Sequence, residues 1–263
     1  MSGDERHWAL VLGGSSGLGL AAAEELSRRG MGVVVVHRDR RGAMGRIQPT
    51  FDQIAARGHG FATFNVDALA REGREHVLTG LAQQLGPGGR LRVLLHAIAH
   101  GNLRPLLGTS AHDQLDDDDI AHTVYAMGTS LVTWVQAIRA RGWFAHDARV
   151  IALTSEGNRA AWPGYGAVAA AKAALESCVR GLAAEGAPHG LRANAIQAGV
   201  TDTPALRAIP GHEVLLSEAR RRNPSGRLTT PADVARVVAL LASDDAAWIT
   251  GSVIVADGGE HLG

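Results

Sequence analysis

Lysine is almost absent from this chain: of 26 basic residues a single one, Lys172, is not arginine. Where positive charge alone is needed, arginine serves. A position that keeps lysine points to a need for a compact ammonium with three donors and a tunable pKa, which a planar guanidinium cannot supply. Cysteine is equally scarce. Cys178 has no partner in the chain, which excludes an internal disulfide framework, fits a reducing compartment and leaves the residue to be read as part of the core. Aromatic residues make up 4 %, and the two tyrosines are Tyr125 and Tyr165.

Formal net charge is zero, so no basic face marks the chain as a nucleic-acid binder. No run approaches the roughly 20 apolar residues that cross a bilayer. Met1 to Trp8 is polar and charged, unlike a secretory leader. The expectation is a soluble, cytoplasmic protein that contacts neither membrane nor nucleic acid. The twelve histidines include no HExxH or Cys/His spacing, so no metal site is expected, and His96 and His100 read as polar residues at a strand end.

What is present is an alternation. Short apolar runs at Ala9–Leu12, Gly32–Val36, Gly60–Phe64, Arg92–His96, Arg149–Thr154, Ala193–Gln197 and Ser252–Val255 alternate with longer segments of helical period. This is the pattern of a parallel sheet covered by helices on both faces. The spacing predicts an α/β chain: a single-domain Rossmann fold with a seven-stranded parallel sheet, its cofactor half about 1–145 and its catalytic and substrate half about 146–263. Gly30, Gly58 and Gly86 stand where helices should stop, and Thr230-Pro231 reads as the N-cap and first residue of the last helix. The acidic run Asp116–Asp119 reads as a solvated helix start.

Directly after the first strand comes Gly13-Gly14-Ser15-Ser16-Gly17-Leu18-Gly19, followed by an Ala-rich segment. A glycine turn opening onto a helix N-terminus lets backbone approach a pyrophosphate and offers it free N–H donors. Gly13, Gly17 and Gly19 stand at the GxxxGxG spacing, and with Asn65-Val66, Ser155, Tyr165, Lys172, Asn194 and Asp257-Gly258-Gly259 the chain resembles the short-chain dehydrogenase/reductases over nearly its full length. The resemblance implies a dinucleotide held by Gly13, Ser15, Ser16, Gly17, Leu18 and Gly19, by Ala97 and Ile98, and by Thr201 and Thr203. It also implies Asn65-Val66 against the adenine. At the end of the second strand, alignment with similar reductases puts His37 at the cofactor-selecting acid position and Arg38 beside it. A guanidinium can grip a 2′-phosphate, so NADPH is favoured over NADH; a two-residue shift would instead make Asp39 an NAD-selecting acid.

The commoner branch of the family has a serine thirteen residues before a tyrosine and a lysine four after it. Ser155 and Lys172 keep that register, but Val168 stands at the tyrosine position and Tyr165 lies three residues earlier. The Tyr165, Val168, Lys172 spacing resembles the divergent branch, the enoyl-[acyl-carrier-protein] reductases of fatty acid biosynthesis, and Ser155 resembles a smaller NADPH-using group within it. Seven residues would place Tyr165 and Lys172 on one helix face about 10 Å apart along the axis.

The set-back phenol suits a developing enolate oxygen two bonds from the hydride acceptor. The catalytic expectation is therefore Tyr165, Lys172 and Ser155 acting on an acyl thioester, carried by acyl carrier protein or coenzyme A. A carbonyl reductase in which Ser155 and Tyr165 polarise a ketone is the competing reading. A non-catalytic NADP-binding module is another, against which the retained Tyr165 and Lys172 count. Tyr125–Thr129 lacks the asparagine that ketoreductases carry in the fourth helix. Gly199–Arg222 is expected to be a substrate lid, and the family resemblance implies a homotetramer.

Overall fold

The computed structural model describes residues 6–110, 112–159 and 161–263; of the polar N-terminus read above, residues 1–5 lie outside the described residues. Seven strands form one all-parallel sheet among the described residues, in the order β3-β2-β1-β4-β5-β6-β7. They are β1 (Arg6–Leu12), β2 (Gly32–His37), β3 (Phe61–Asn65), β4 (Gly89–His96), β5 (Phe144–Ser155), β6 (Leu191–Ala198) and β7 (Val253–Ala256). The chain is a single-domain Rossmann-like fold.

All seven runs seen in the sequence are strands, with shifted ends. Gly60 has a φ of +96° and stands outside β3, because a left-handed residue does not continue an extended ladder. The last strand starts at Val253 rather than Ser252. Strands β4 and β5 begin earlier than the apolar pattern indicates, since their first residues include Arg90, His146 and Asp147.

Helices cover both faces, as a sheet buried on both sides requires. On one face α3 (Arg71–Leu85), α5 (Ser130–Arg139) and α6 (Gly166–Gly186) supply Val77, Leu78, Leu81, Trp134, Ile138, Leu175 and Val179 to the core. On the other, α1 (Gly17–Arg28), α2 (Met44–Ala55) and α9 (Pro231–Ala242) supply Leu26, Ile47, Phe51, Ile54, Val234, Val238 and Leu241.

Expected punctuation is in place: Gly30, Gly58 and Gly86 have positive φ just past α1, α2 and α3. Thr230 caps α9 in a capping box with Asp233. Asp116 forms a second capping box with Asp119 at the start of α4 (Asp117–Val124), so this part of the acidic run starts a helix.

Two features were not legible in the sequence. First, α4 and α5 are halves of one helix joined by a π turn, Tyr125–Thr129. Second, two buried arginines close the end of α9. Arg92 Nε donates to Ala242 O at 3.1 Å, and Arg149 donates to Leu241 O at 3.0 Å and Ser243 O at 3.1 Å. Asp147 pairs with both. Last-turn carbonyls left without helical partners are thereby satisfied.

Candidate active site

The C-terminal strand ends, where ligands bind in open α/β sheets, surround a cavity of about 740 Å³. Its lining brings together Gly13, Ser15, Ser16, Gly17, Leu18 and Gly19 with Ala97, Ile98, Ser155, Tyr165, Lys172, Thr201 and Thr203. Arg38, Asn65 and Val66 lie outside that lining, around the ends of β2 and β3.

The glycine turn is close-packed on its neighbours. Gly13 has a φ of +85°, and a Cβ there would stand 2.7 Å from Ala97 O; a Cβ on Gly19 would run into Gly13 O. Ser16 caps α1 without a side-chain hydrogen bond, so the N–H groups of the first turn are left for another acceptor. This cradle fits the diphosphate of a dinucleotide.

Around the second strand end the side chains are committed in an unexpected way. His37, buried, stacks on Phe51, and its Nδ1 meets the Asp39 carboxylate at 2.9 Å. Asn65 clamps the backbone of Asp39, accepting from its N–H and donating to its carbonyl, both at 3.0 Å. Asn65, expected against the adenine, thus has its amide spent on the β2 loop. Arg38 remains half exposed and meets Asp67 Oδ2 at 2.8 Å and His100 Nε2 at 3.2 Å. His100 is correspondingly not at the strand end but in the loop beyond it.

Lys172 lies within α6 and is 6 % exposed. Its Nζ donates to Leu153 O at 2.8 Å. Burial presses its pKa down to about 8, against the pull of the Glu176 carboxylate. Glu176 is itself buried and accepts from Thr154 Oγ1 at 2.8 Å and Asn158 Nδ2 at 2.7 Å.

Tyr165 does not lie inside the helix with Lys172, as the spacing had implied; it is the N-cap of α6, with φ −100° and ψ 2°. The cause is the turn before it. Gly164 takes a left-handed φ of +75° and Tyr165 N–H donates to Trp162 O at 3.0 Å, so the chain enters the helix sharply. Burial raises the phenol's pKa, with Ser155 opposing the rise. Ser155 Oγ is buried and closes no hydrogen bond of standard geometry among the described residues, so its influence on Tyr165 is one of proximity. Val168, at the alternative tyrosine position, is buried with Ala126, Met127 and Ala171.

The Gly199–Arg222 segment contributes Thr203, Leu206, Ile209 and Leu215 to the cavity wall through α7 (Pro204–Arg207) and α8 (His212–Arg222).

Sequence reasoning missed several lining groups. Arg222 meets Glu156 at 3.0 Å and Glu260 at 3.2 Å, joining α8 to the residue after Ser155 and to the C-terminal turn. No spacing could have announced a trio so far apart in the chain. His96 closes β4 fully buried, its Nε2 2.9 Å from Ser130 Oγ. Burial, reinforced by Lys172, presses its pKa down to about 3 and keeps it neutral. The place of His96 at the end of β4 is the one read from the sequence; it lies behind the cavity wall and not in the lining. No cluster of His, Cys, Asp and Glu suited to a metal occurs among the described residues.

Residues 13–261 match the family described as Enoyl-(Acyl carrier protein) reductase. The chain belongs to that family, within the short-chain dehydrogenase/reductases. It is 32 % identical over 259 residues, 97 % of this chain and 87 % of the relative, to the 1-cyclohexenylcarbonyl-CoA reductase of Streptomyces collinus. The solved enoyl-[acyl-carrier-protein] reductase (NADH) of Aquifex aeolicus VF5 superposes with a TM-score of 0.84 at 25 % identity, covering 99 % of this chain and 98 % of that one. A short-chain dehydrogenase from Burkholderia cenocepacia J2315, solved in complex with NADP, gives 0.81 at 26 % identity, covering 98 % and 99 %. This short-chain reductase is an oxidoreductase with a nicotinamide dinucleotide site. No helix among its described residues is long and apolar enough to cross a membrane.

Proposed function

We propose that the chain is an NADPH-dependent reductase of 2-enoyl thioesters, of the enoyl-[acyl-carrier-protein] reductase type. The observation that carries this is the company Tyr165 keeps: its phenol is perturbed by burial and Ser155, while an apolar residue, Val168, fills the position one turn before Lys172. The phenol is protonated at neutral pH, as any tyrosine is, and burial only reinforces that. It therefore acts as a fixed hydrogen-bond donor to the thioester oxygen as that oxygen gains enolate charge. Bound NADPH supplies the hydride to the β-carbon. Lys172 has two N–H groups beyond the one given to Leu153 O, suited to ribose hydroxyls, and its charge keeps the potential at this end positive. Leu206, Ile209 and Leu215 screen the reacting carbons from water.

NADPH rather than NADH is supported by the β2 loop. The Asp39 carboxylate is turned back onto His37, which leaves Arg38 as the exposed selecting group. Its substrate is carried by acyl carrier protein or coenzyme A, and a cytoplasmic place in fatty acid biosynthesis follows from the same reading. Leu240 on α9, Trp248 and Val255 on the edge strand β7 are exposed apolar residues and support assembly into a homotetramer.

The test is NADPH oxidation by the purified protein with crotonyl and acetoacetyl thioesters side by side. Faster reduction of the crotonyl thioester is expected. Faster reduction of the acetoacetyl thioester would establish the second reading, carbonyl reduction, which the nearness of buried Ser155 to Tyr165 favours.

A further inference from the structure

Arg38 is not waiting unpaired for a phosphate. Nη1 meets Asp67 Oδ2 at 2.8 Å and Nη2 faces His100 Nε2 at 3.2 Å. Asp67 follows β3, Arg38 follows β2 and His100 follows β4, with β1 between β2 and β4. The guanidinium is thus held over the strand ends where the sheet order reverses, the crevice that takes a dinucleotide in this architecture. Asp67 is itself well anchored: Leu69 N–H donates to its Oδ1 at 2.9 Å. Burial opposes its ionisation, but the Leu69 N–H and Arg38 outweigh it and hold its pKa below the ordinary value. It is therefore a full negative charge, fixed in place, on the group that would grip a 2′-phosphate.

We propose that Asp67 is a specificity-determining residue of the cofactor site, an internal competitor that occupies Arg38 until a ribose 2′-phosphate displaces it. The inference rests on the reading of this chain as an NADPH enzyme. A phosphomonoester brings nearly two negative charges and three acceptor oxygens, so it takes the guanidinium from a single carboxylate. Singly charged or diffuse anions do not, and NADH, which lacks the phosphate, leaves the pair closed. Asp67 thereby lowers the affinity of Arg38 for anions in general while leaving the phosphomonoester able to win, discrimination by an added repulsive element. His100 Nε2 faces the donor Arg38 and must accept there, so its ring is neutral while the clamp is closed.

The decisive variant is Asp67→Asn, which keeps an acceptor for Leu69 N–H and removes only the charge. Binding is measured by calorimetry on the whole protein with 2′,5′-ADP, 5′-AMP, NADPH and NADH, without substrate or turnover. Because exposed ion pairs are weak and screened, the expected gain for 2′,5′-ADP and NADPH is about three- to tenfold at low salt, shrinking as salt is added. Affinities for 5′-AMP and NADH should stay within about twofold. In the Arg38→Ala background the gain from Asp67→Asn should disappear, which a merely structural role for Asp67 would not produce. Unchanged 2′,5′-ADP affinity in Asp67→Asn, with Arg38→Ala still weakening it, overturns the competitor role and leaves the NADPH reading standing. If Arg38→Ala leaves 2′,5′-ADP binding unchanged, both fall together. An equal gain for NADH and NADPH also overturns the proposal.

Discussion

The ring of Tyr165 occupies the space that a side chain at residue 157 would need. A Cβ on Gly157 would collide with Cε1 of the tyrosine and come within 3.0 Å of Cδ1. Gly157 is two residues past Ser155, so the glycine lets the β5 exit and the α6 entry close on each other around the phenol. Gly157→Ala should therefore displace the hydroxyl without touching the cofactor cradle. Turnover is expected to fall about tenfold to a hundredfold, the scale on which small misplacements are felt, with NADPH affinity unchanged in a fluorescence titration. Turnover equal to wild type would show that the phenol is not held by this contact.

Lys172→Arg preserves charge but asks a wider, planar group to occupy a site that is 6 % exposed and shaped for one N–H to Leu153 O. Activity should fall at least roughly a hundredfold. Activity within about threefold of wild type would remove the special role assigned to this lysine.

The same residue sets a pH dependence. With a folded-state pKa of about 8, against an ordinary 10.5, Lys172 loses its charge as pH rises through about 8. NADPH affinity should be level below that value and weaken above it, with proton uptake on binding in the alkaline range. Calorimetry in buffers of different ionisation enthalpy reads both. Stability runs the other way. A lysine pKa below its unfolded value means the unfolded chain binds the extra proton, so this residue's cost to the fold is full below about 8 and is relieved as pH climbs toward 10.5.

Tyr165→Phe should cost the few kcal/mol typical of one oxyanion donor, read as a loss in kcat with crotonyl thioester. Adding Val168→Tyr does not restore the hydroxyl usefully. Val168 is 4 % exposed against Ala126, Met127 and Ala171, and overpacking there should destabilise the protein by about 1–3 kcal/mol, measured by urea unfolding. A stable double variant that reduces crotonyl thioester as well as wild type would refute the assignment of Tyr165.

Asp147→Ala should be among the most damaging changes outside the cavity. It leaves Arg92 and Arg149, 5 % and 1 % exposed, without their shared carboxylate. Asp147 is 30 % exposed and Arg92 keeps Asp244 Oδ1 at 2.7 Å, so the cost should fall below the about 3–5 kcal/mol of a fully buried pair and still show as an earlier midpoint in denaturant. A midpoint unmoved from wild type would show that the α9 carbonyls suffice for Arg149, and together with Asp244 for Arg92.

The strand runs and the glycine turn were legible because each is written in contiguous residues, the one by apolar content and the other by spacing. Ser155, Tyr165 and Lys172 were legible for the same reason: eighteen residues of chain, 155–172, hold all three. What the sequence hid depends on side chains meeting across the fold. The Arg38–Asp67 pair, the Arg222 contacts to Glu156 and Glu260, and the paired arginines under α9 join residues 29 to 152 positions apart. The place of Tyr165 was misjudged by one residue for a local reason, since helical periodicity says nothing about where the first turn begins when a left-handed Gly164 precedes it.

The π turn at Tyr125–Thr129 makes the helix through residues 117–139 a two-phase object. One residue more than an α turn needs rotates everything after it by about 100° relative to a straight helix. Ahead of the offset, Thr123 receives the Asn102 N–H at 3.0 Å. Beyond it, Ser130 reaches His96 and Trp134 Nε1 donates to Ala68 O at 3.1 Å. Within it, Gly128 abuts the Ala171 carbonyl, next to Lys172. A straight helix transplanted here could serve one set of neighbours or the other, so a single-residue deletion in the turn would set the Ser130 and Trp134 contacts against those of Thr123 and Gly128.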